Sequence, residues 1–387
     1  MDYRDSTEQQ AWRGEVRAFL EAEAPGEYRV MRRPAVDSYG RGDELFQTWR
    51  NRVARRGWLA SHWPKEYGGA GMSVMEQFVL KEEFALSGCA HPGGRGVEMV
   101  GPTIILHATD EQRDELLPPI LSGEHIYCQG FSEPGAGSDL AAVQLRAVRD
   151  GDEYVLNGQK IWTSNALSCN WIFLLARTDP DAPKHKGISY FVMPMDVPGV
   201  TVRPIIDMVG GNELCETFYE DVRVPASYRI GEENRGWYIA MTTLDFERSG
   251  IAGAVALQQR MIRLAPTLKG RLTDERRALF ADLYLSSEVA RQMAYHVASL
   301  QDRGQVPNYE ASMVKLFSSE LTRRFDTAMV SFFGLQGQLY AGSNGYDVDE
   351  GRVARALSGS IPTTIAGGTS EVQRGIIAGR GLGLPRG

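Results

Sequence analysis

The sequence predicts an α+β fold in which a small β-sheet domain separates two helical domains along the chain. The hydrophobic periodicity changes twice: helical patterns run to about residue 124, short β runs occupy 126–231, and helical patterns resume beyond Trp237. A chain of 387 residues also exceeds what a single core usually holds. We therefore predict an N-terminal helical domain at 1–125, a β-domain at 126–231 and a C-terminal helical domain at 232–387.

The N-terminal part contains four amphipathic segments separated by Gly- and Pro-containing loops. They read EQQAWRGEVRAFLEAEA, DELFQTWRNRVARRGWL, SVMEQFVLKEEFALSG and DEQRDELLPPILSG. Each combines apolar residues at helical spacing with charged residues between them, which predicts one helix per segment.

The middle part has the signals of short strands. Asp150-Gly151 and Asn157-Gly158 are both dipeptides typical of hairpin turns, and they flank the apolar run YVL. Four further runs, bounded by Pro, Gly and Asp, are predicted strands: WIFLLART, GISYFVMPM, VTVRPI and ETFYEDVRV.

The C-terminal part contains a long apolar helix stripe. Its members recur at intervals of four, four, three and four residues, which places them on one helix face. We predict that these side chains form core and contact no cofactor: Phe317, Leu321, Phe325, Ala328 and Phe332.

Composition excludes several classes of function. Hydrophobic content of 43% and charged content of 24% are ordinary for a globular protein, and the net charge of −7 gives no reason to expect nucleic-acid binding. No apolar run reaches the ~18 residues of a membrane span, and the charged start MDYRDSTEQQAW favours a cytoplasmic protein. The four cysteines form no CxxC pair and the six histidines lack metal-ligand spacing, so we expect isolated, mostly buried thiols and no metal site.

Five motifs carry the functional signal. In chain order they are WPKEYGG (63–69), GFSEPGAGSD (130–139), NGQKIWTSN (157–165), LDFER (244–248) and IAGGTSEVQR (365–374). The second, third and fifth are polar and lie close to predicted element ends, where free backbone N–H groups can hold a ligand. In this order the motifs resemble the acyl-CoA dehydrogenase flavoprotein family, from about Trp12 to the C-terminus. One short glycine motif is weak evidence, whereas five in family order are specific.

The resemblance implies a C-terminal four-helix-bundle domain and bound FAD. Ser132 stands where the family usually has Thr, whose hydroxyl and backbone bond the flavin N5/O4 edge. Trp162 and Ser164 match a Trp-x-Thr motif, in which the ring shields one flavin face and the hydroxyl bonds the flavin. The complete set of cofactor contacts implied in this way is Gln129, Phe131, Ser132, Gly137, Ser138, Trp162, Thr163, Ser164, Thr369, Ser370 and Glu371.

The resemblance also implies α,β-dehydrogenation of an acyl-CoA thioester to the trans-2-enoyl-CoA. A carboxylate must remove the α-proton while the β-hydrogen leaves as hydride to flavin N5. In common members the base is a Glu just before the final Gly-Thr-Ser, but this chain has Gly367 there. The isovaleryl and long-chain branches instead carry the base within L-D-x-E-R, which makes Glu247 the expected general base. Gly250, Ile251 and Ala254 follow it at helical spacing, and such an apolar face would raise the pKa of a carboxyl group.

Other substrate contacts follow from the same resemblance. The Gly367 backbone N–H would bond the thioester oxygen and stabilise the developing enolate. Asp245 and Arg248 match positions that meet the CoA pantetheine or order the base, and Ser138 and Gly368 match contacts to the thioester tail. An electron-transfer flavoprotein is the expected electron acceptor.

The chain departs from the family at two assembly contacts. The usual Arg-x-x-Phe-Gly motif, whose Arg meets the FAD pyrophosphate of the neighbouring subunit, is absent after Arg260, and Phe333-Gly334 is the only Phe-Gly in the sequence. The usual Gln before a Gly-Gly pair is replaced by VSFFGLQGQ. We expect a tetramer. It is either a homotetramer, in which residues such as Arg271 replace the lost contacts, or a mixed tetramer with a related chain.

Three other functions remain open from the sequence. The same fold serves flavin monooxygenases and oxidases, against which Glu247 argues because oxygen insertion needs no base there. The chain could also be a supporting subunit of a heteromeric acyl-CoA dehydrogenase, or a binding module without cofactor. Retention of FAD by the purified chain discriminates these two from an enzyme.

Overall fold

A computed structural model describes residues 4–26, 44–245 and 251–385. The chain divides into two compact units. Unit 1 comprises Met1–Val30, Ser73–Cys89 and Arg248–Gly387, and unit 2 comprises Met31–Met72 and Ala90–Glu247. Unit 1 is helical and unit 2 contains the sheet, so the predicted α+β class is confirmed.

Unit 2 combines an eight-stranded sheet with short helices. The sheet order is β6-β7-β3-β2-β4-β5-β8, and β1 pairs with β4 in parallel. The strands are β1 (Tyr127–Gly130), β2 (Arg146–Asp150), β3 (Glu153–Ser164), β4 (Trp171–Arg177), β5 (Ile188–Pro194), β6 (Val200–Ile205), β7 (Leu214–Pro225) and β8 (Arg229–Ile230). The helices of this unit are α2 (Glu44–Arg55), α4 (Gly101–His107), α5 (Asp110–Ser122) and α6 (Gly236–Asp245).

The four predicted strands are present as β4 to β7. In β4 and β5 every residue but the last is buried, which explains why both read as continuous apolar runs rather than as alternating patterns. In β7 burial alternates along most of the strand, because only one of its faces packs on the core.

One of the two predicted hairpin turns is wrong. Gly151, with φ +63°, opens the two-residue turn between β2 and β3 as expected. Asn157-Gly158 instead lies inside β3, at a register shift opposite β7. The Asn157 side-chain amide donates to Asp221 Oδ1 (3.0 Å), and Asp221 N donates back to Asn157 Oδ1 (3.0 Å). Gly158 adopts φ +143°, so the dipeptide builds a β-bulge that is fixed by a partner 64 residues away.

Unit 1 packs the N-terminal helix and one later helix with the C-terminal helices. Its helices are α1 (Thr7–Glu23), α3 (Val74–Ser87), α7 (Ile251–Leu264), α8 (Asp274–Asp302), α9 (Tyr309–Phe333), α10 (Arg352–Ser360) and α11 (Ser370–Ile376). The predicted stripe on α9 is confirmed as core: Leu321, Phe325, Ala328 and Phe332 are buried against α7 and α8 residues, and Phe317 packs on the same cluster.

A buried ion cluster joins α1, α3 and α8 within unit 1. Arg13 Nη1 lies 2.7 Å from Glu82 Oε2 and 2.6 Å from Glu83 Oε1. Glu82 also accepts from Arg291 Nε (2.7 Å) and from the Tyr295 hydroxyl (2.8 Å). The carboxylates hold the pKa of Arg13 above its ordinary value although burial opposes this. The cluster fixes how the three helices pack, because each buried charge has an opposite partner.

The described cysteines are free thiols. Cys89, Cys128 and Cys215 are buried and Cys169 is half-buried, as expected. Within residues 4–26, 44–245 and 251–385, no helix is long and apolar enough to cross a membrane, and no cluster of His, Cys, Asp or Glu could hold a metal ion.

Candidate active site

Two of the five motifs meet in unit 2. The loop at 131–138 follows β1, and Phe131 anchors it by packing edge-on against Phe173 (5.5 Å between ring centroids) and Tyr190 (6.2 Å). The Ser132 carbonyl accepts from Ile161 N on β3 at 2.9 Å. The expected contacts of 129–138 and of 162–164 therefore lie on adjoining segments.

The loop leaves one backbone donor available. Among the described residues, no acceptor bonds the Ser132 N–H, and the residue is half-buried. Reciprocal bonds between Glu133 and Ala136 (2.9 and 3.0 Å) close the turn that follows. Gly137 and Ser138 lie beyond this turn and are exposed, so a ligand can approach the loop closely there.

Trp162 has an unusual backbone. Its φ is +61°, in the left-handed region that costs a bulky residue about 1–3 kcal/mol. The strain arises where the register of β3 against β7 shifts between Lys160 and Thr163. It turns the indole outward, so that Trp162 is 55% exposed while Thr163 is fully buried. A strained, exposed aromatic inside a strand fits a wall for a planar ligand and does not fit a core residue.

Two charged residues of the same motifs received no role from the sequence. Lys160 is fully buried, and its Nζ lies 2.7 Å from Glu133 Oε1 and 3.2 Å from the Phe131 carbonyl. Burial lowers the pKa of Lys160 to about 8, although Glu133 acts to raise it. The signal available in the sequence was the opposite charge of Glu133 and Lys160, which lie in two motifs that were already expected to contact the same cofactor.

The fifth motif lies in unit 1, where it begins α11. Thr369 caps the helix by accepting from Val372 N (3.2 Å). Ser370 is 6% exposed, and its hydroxyl has no partner among the described residues. Bonds from its own backbone N–H and from the Thr369 hydroxyl lower the pKa of the exposed Glu371.

These three residues line a cavity of about 820 Å³. Three arginines also line it. Arg374 pairs with Glu320 (2.7 Å) and Arg324 with Asp282 (3.0 Å), while the Arg323 guanidinium has no acidic partner among the described residues. The lining is Leu279, Leu283, Glu320, Arg323, Arg324, Thr327, Ala328, Ser331, Thr364, Ile365, Thr369, Ser370, Glu371 and Arg374. Hydroxyls and guanidinium groups beside apolar walls suit a nucleotide-like ligand.

The two glycines before this helix both have left-handed backbones. Gly367 has φ +64° and Gly368 φ +88°. Gln373 Nε2 donates to the Gly367 carbonyl (3.0 Å) and Lys315 Nζ to the Gly368 carbonyl (2.5 Å). The N–H groups of Gly367 and Gly368 have no acceptor among the described residues, so this backbone is held by its carbonyls and presents its donors.

The other expected site residues are described only in part. Leu244 and Asp245 end α6, whereas Glu247 and Arg248 lie outside the described residues, as does the Asp245 side chain. Arg271 donates to Gln336 Oε1 (2.6 Å) and lies over the Phe333 ring, 5.5 Å from its centroid. Its role toward a neighbouring subunit stays a prediction.

The first motif supports the fold. Trp63 is fully buried and donates from Nε1 to the Val97 carbonyl at 2.9 Å. A Cβ at Gly69 would lie 2.1 Å from the Trp63 carbonyl oxygen, and one at Gly101 would lie 1.8 Å from the indole. The glycines are therefore required to seat this ring.

Three family models match nearly the whole chain. The acyl-CoA dehydrogenase N-terminal domain matches residues 6–124, the middle domain residues 128–222 and the C-terminal domain residues 234–382. The chain belongs to the acyl-CoA dehydrogenase family. This acyl-CoA dehydrogenase is consequently an oxidoreductase whose cofactor is FAD, as the motifs predicted.

Similar proteins include both curated relatives and solved structures. The chain is 36% identical to acyl-CoA dehydrogenase FadE26 of Mycobacterium tuberculosis, over 98% of each chain, and 30% identical to mitochondrial isovaleryl-CoA dehydrogenase of Pongo abelii, over 96% of this chain and 88% of the relative. Among solved structures, the Tcur3481-Tcur3483 steroid ACAD matches with a TM-score of 0.86, 36% identity and full coverage of both chains. The ChsE4-ChsE5 complex of Mycobacterium tuberculosis matches with a TM-score of 0.85, 34% identity and full coverage of both chains.

The residues present fit FAD. The outward Trp162 ring supplies an aromatic surface, and the Ser132 N–H is an uncommitted donor on the adjoining loop. In unit 1, the buried Ser370 hydroxyl has no partner among the described residues, so it is available to bond a ligand there.

Proposed function

We propose that this acyl-CoA dehydrogenase oxidises a bulky, steroid-type acyl-CoA thioester at its α,β carbons, giving the trans-2-enoyl-CoA. The observation that carries the proposal is the pairing of Trp162, strained and exposed, with the uncommitted Ser132 N–H beside it. Together they offer a planar wall and an edge donor for the flavin. Family membership supplies the reaction class.

We assign the following roles to residues of the chain. The Glu247 carboxylate removes the α-proton, and bound FAD would supply the acceptor for the β-hydrogen as hydride. The Gly367 N–H donates to the thioester oxygen and stabilises the negative charge that develops as the proton leaves. Asp245, Arg248, Ser138 and Gly368 hold the CoA tail or order the base.

The local structure around Gly367 supports a base located elsewhere. Among the described residues, a Cβ at this position would meet only Lys315 Cε, at 4.0 Å, so their arrangement leaves space for a side chain. However, φ of +64° disfavours any L residue, and the position suits a glycine that offers only its N–H.

Two residues that follow Glu247 in the sequence are buried, which supports its proposed role as the base. Ile251 and Ala254, the two described members of the helically spaced set that begins at Glu247, are 0% and 2% exposed. A general base works best in partly apolar surroundings, so buried neighbours in the sequence support the proposal for Glu247.

The substrate class and the assembly rest on the solved relatives. A structure named as a steroid ACAD matches over the full chain, and both relatives are named as pairs of chains, Tcur3481-Tcur3483 and ChsE4-ChsE5. A missing side chain at Gly367 leaves room for a branched or polycyclic acyl group. Since this chain also lacks the Arg-x-x-Phe-Gly motif, we propose a mixed tetramer in which a related chain completes the FAD site. An electron-transfer flavoprotein takes the electrons.

The test combines assembly with a substrate panel. The chain is purified alone and after co-expression with a related chain, and native mass and FAD per chain are measured. Both preparations then oxidise steroid side-chain, branched and straight-chain acyl-CoA esters with a ferrocenium acceptor. We expect FAD and turnover in the mixed assembly, with the highest kcat/KM on the steroid ester. A homotetramer with one FAD per chain would refute the mixed assembly, and a preference for straight chains would refute the substrate class.

A further inference from the structure

The buried pair of Lys160 and Glu133 is well hydrogen-bonded. Besides Lys160 Nζ at 2.7 Å, the Glu133 carboxylate accepts from Gln144 N (2.6 Å) and Leu145 N (2.9 Å). The Lys160 side chain is 0% exposed and that of Glu133 8%. An ion pair in such surroundings is rarely the most stabilising solution, because two apolar residues of similar volume often serve the fold as well.

The pair holds the peptide that leads into Ser132. Lys160 Nζ donates to the Phe131 carbonyl (3.2 Å), and the next residue on β3, Ile161, donates from its N–H to the Ser132 carbonyl (2.9 Å). Both carbonyls that flank the Ser132 N–H are thus bonded to β3. The direction of this N–H is fixed by β3, and the same strand turns Trp162 outward.

The ammonium group also acts on the donor strength of this N–H. The Phe131 carbonyl and the Ser132 N–H are the two ends of one peptide group. A charge-assisted bond to the carbonyl oxygen polarises that group and makes its N–H a stronger donor. The effect is larger in a buried site, where water does not screen the charge.

We propose that Lys160 is a positioning residue for the flavin: paired with Glu133, it orients and polarises the peptide between Phe131 and Ser132, whose N–H bonds the flavin edge. This rests on the proposed placement of FAD at Ser132. Removal of the positive charge weakens the bond that stabilises the electron-rich reduced flavin, so the reduction potential falls and FAD binds less tightly.

The test uses a neutral replacement of the whole pair, Lys160→Met with Glu133→Gln, in the FAD-binding assembly. The dissociation constant of FAD, from fluorescence titration of the apoprotein, should rise about tenfold. The equilibrium between oxidised and reduced flavin should shift about tenfold toward the oxidised form, which is about 30 mV for a two-electron couple. The double variant avoids an unpaired buried charge.

A matched control removes a different buried pair. Arg260 and the 1%-exposed Asp326 form an ion pair in unit 1, and Arg260→Met with Asp326→Asn should lower stability without moving the potential. If both double variants shift the potential equally, the effect is general destabilisation and the proposal is overturned.

The pH dependence of the reduction potential provides a second test of the role of Lys160. The charged groups that act on Lys160 are Glu133 and Arg177, and the pKa of Lys160 is about 8. The difference in potential between wild type and the double variant should therefore be largest at pH 6.5 and should shrink as the pH rises through about 8. A difference that stays constant from pH 6.5 to 9.5, or no difference at all, would overturn the proposal. If the wild type itself binds no FAD, the proposed function fails instead.

Discussion

The left-handed backbone at Trp162 predicts an inverted order of stability for two substitutions. At an ordinary strand position, Trp→Gly costs more than Trp→Ala. At φ +61° an L residue pays about 1–2 kcal/mol that Gly does not, and the greater unfolded-state freedom of Gly returns about 0.4–1 kcal/mol of this. We therefore expect Trp162→Gly to exceed Trp162→Ala in free energy of unfolding by about 1 kcal/mol.

The same two variants test whether the Trp162 ring contacts the flavin. Because 55% of Trp162 is exposed, much of the ring is free to contact a ligand, and both variants should bind FAD about tenfold more weakly. Leu167→Ala is the matched control, since Leu167 is 53% exposed in the same unit and should leave FAD affinity unchanged. The assays are urea denaturation of the apoprotein and titration with FAD. An Ala variant more stable than the Gly variant would show that the backbone at residue 162 is not strained, and full FAD affinity in both variants would show that Trp162 does not contact the flavin.

Three further predictions concern stability. Gly158→Ala should lower the free energy of unfolding, measured by urea denaturation, by about 1–3 kcal/mol. The reason is that φ is +143° and the added Cβ would lie 3.0 Å from a Leu145 side-chain atom and 3.1 Å from the Leu145 backbone. Gly151→Ala, at an open turn, should have a smaller effect and is the comparison. Arg13→Met should cost about 3–5 kcal/mol because it leaves two buried carboxylates short of a partner, whereas Arg17→Met, at a side chain that is 55% exposed, should cost under about 1 kcal/mol. The folded pKa of Lys160, about 8, lies below its ordinary 10.5, so between these values the unfolded state binds more protons. The free energy of unfolding of wild type, relative to that of the Lys160→Met, Glu133→Gln variant, should then rise by up to about 3 kcal/mol from pH 8 to 10.5. Equal slopes of the free energy of unfolding against pH in the two proteins would contradict this.

Local sequence patterns were sufficient to predict much of the fold. The β4 and β5 segments are apolar at nearly every position because both of their faces are buried, and the α9 stripe follows helical spacing because α7 and α8 cover it. Such signals lie within a few residues of each other and can be read directly from the sequence.

Features set by distant partners could not be predicted in this way. Asn157-Gly158 has the sequence of a hairpin turn, yet its conformation is determined by Asp221 on β7. The exposure of Trp162 follows from a register shift that no local pattern encodes. The pairing of Glu133 with Lys160 needs the fold to bring together residues that are 27 positions apart.

Glu247 is the proposed catalytic base, and the Glu247→Gln variant tests this role. Turnover of the preferred acyl-CoA with a ferrocenium acceptor is measured together with FAD content, and Glu232→Gln, at an exposed position, is the control. We predict that Glu247→Gln retains FAD and loses about three orders of magnitude in kcat, as expected when an obligatory base is removed, while Glu232→Gln turns over normally. Near-normal turnover by Glu247→Gln with FAD bound would show that another residue is the base.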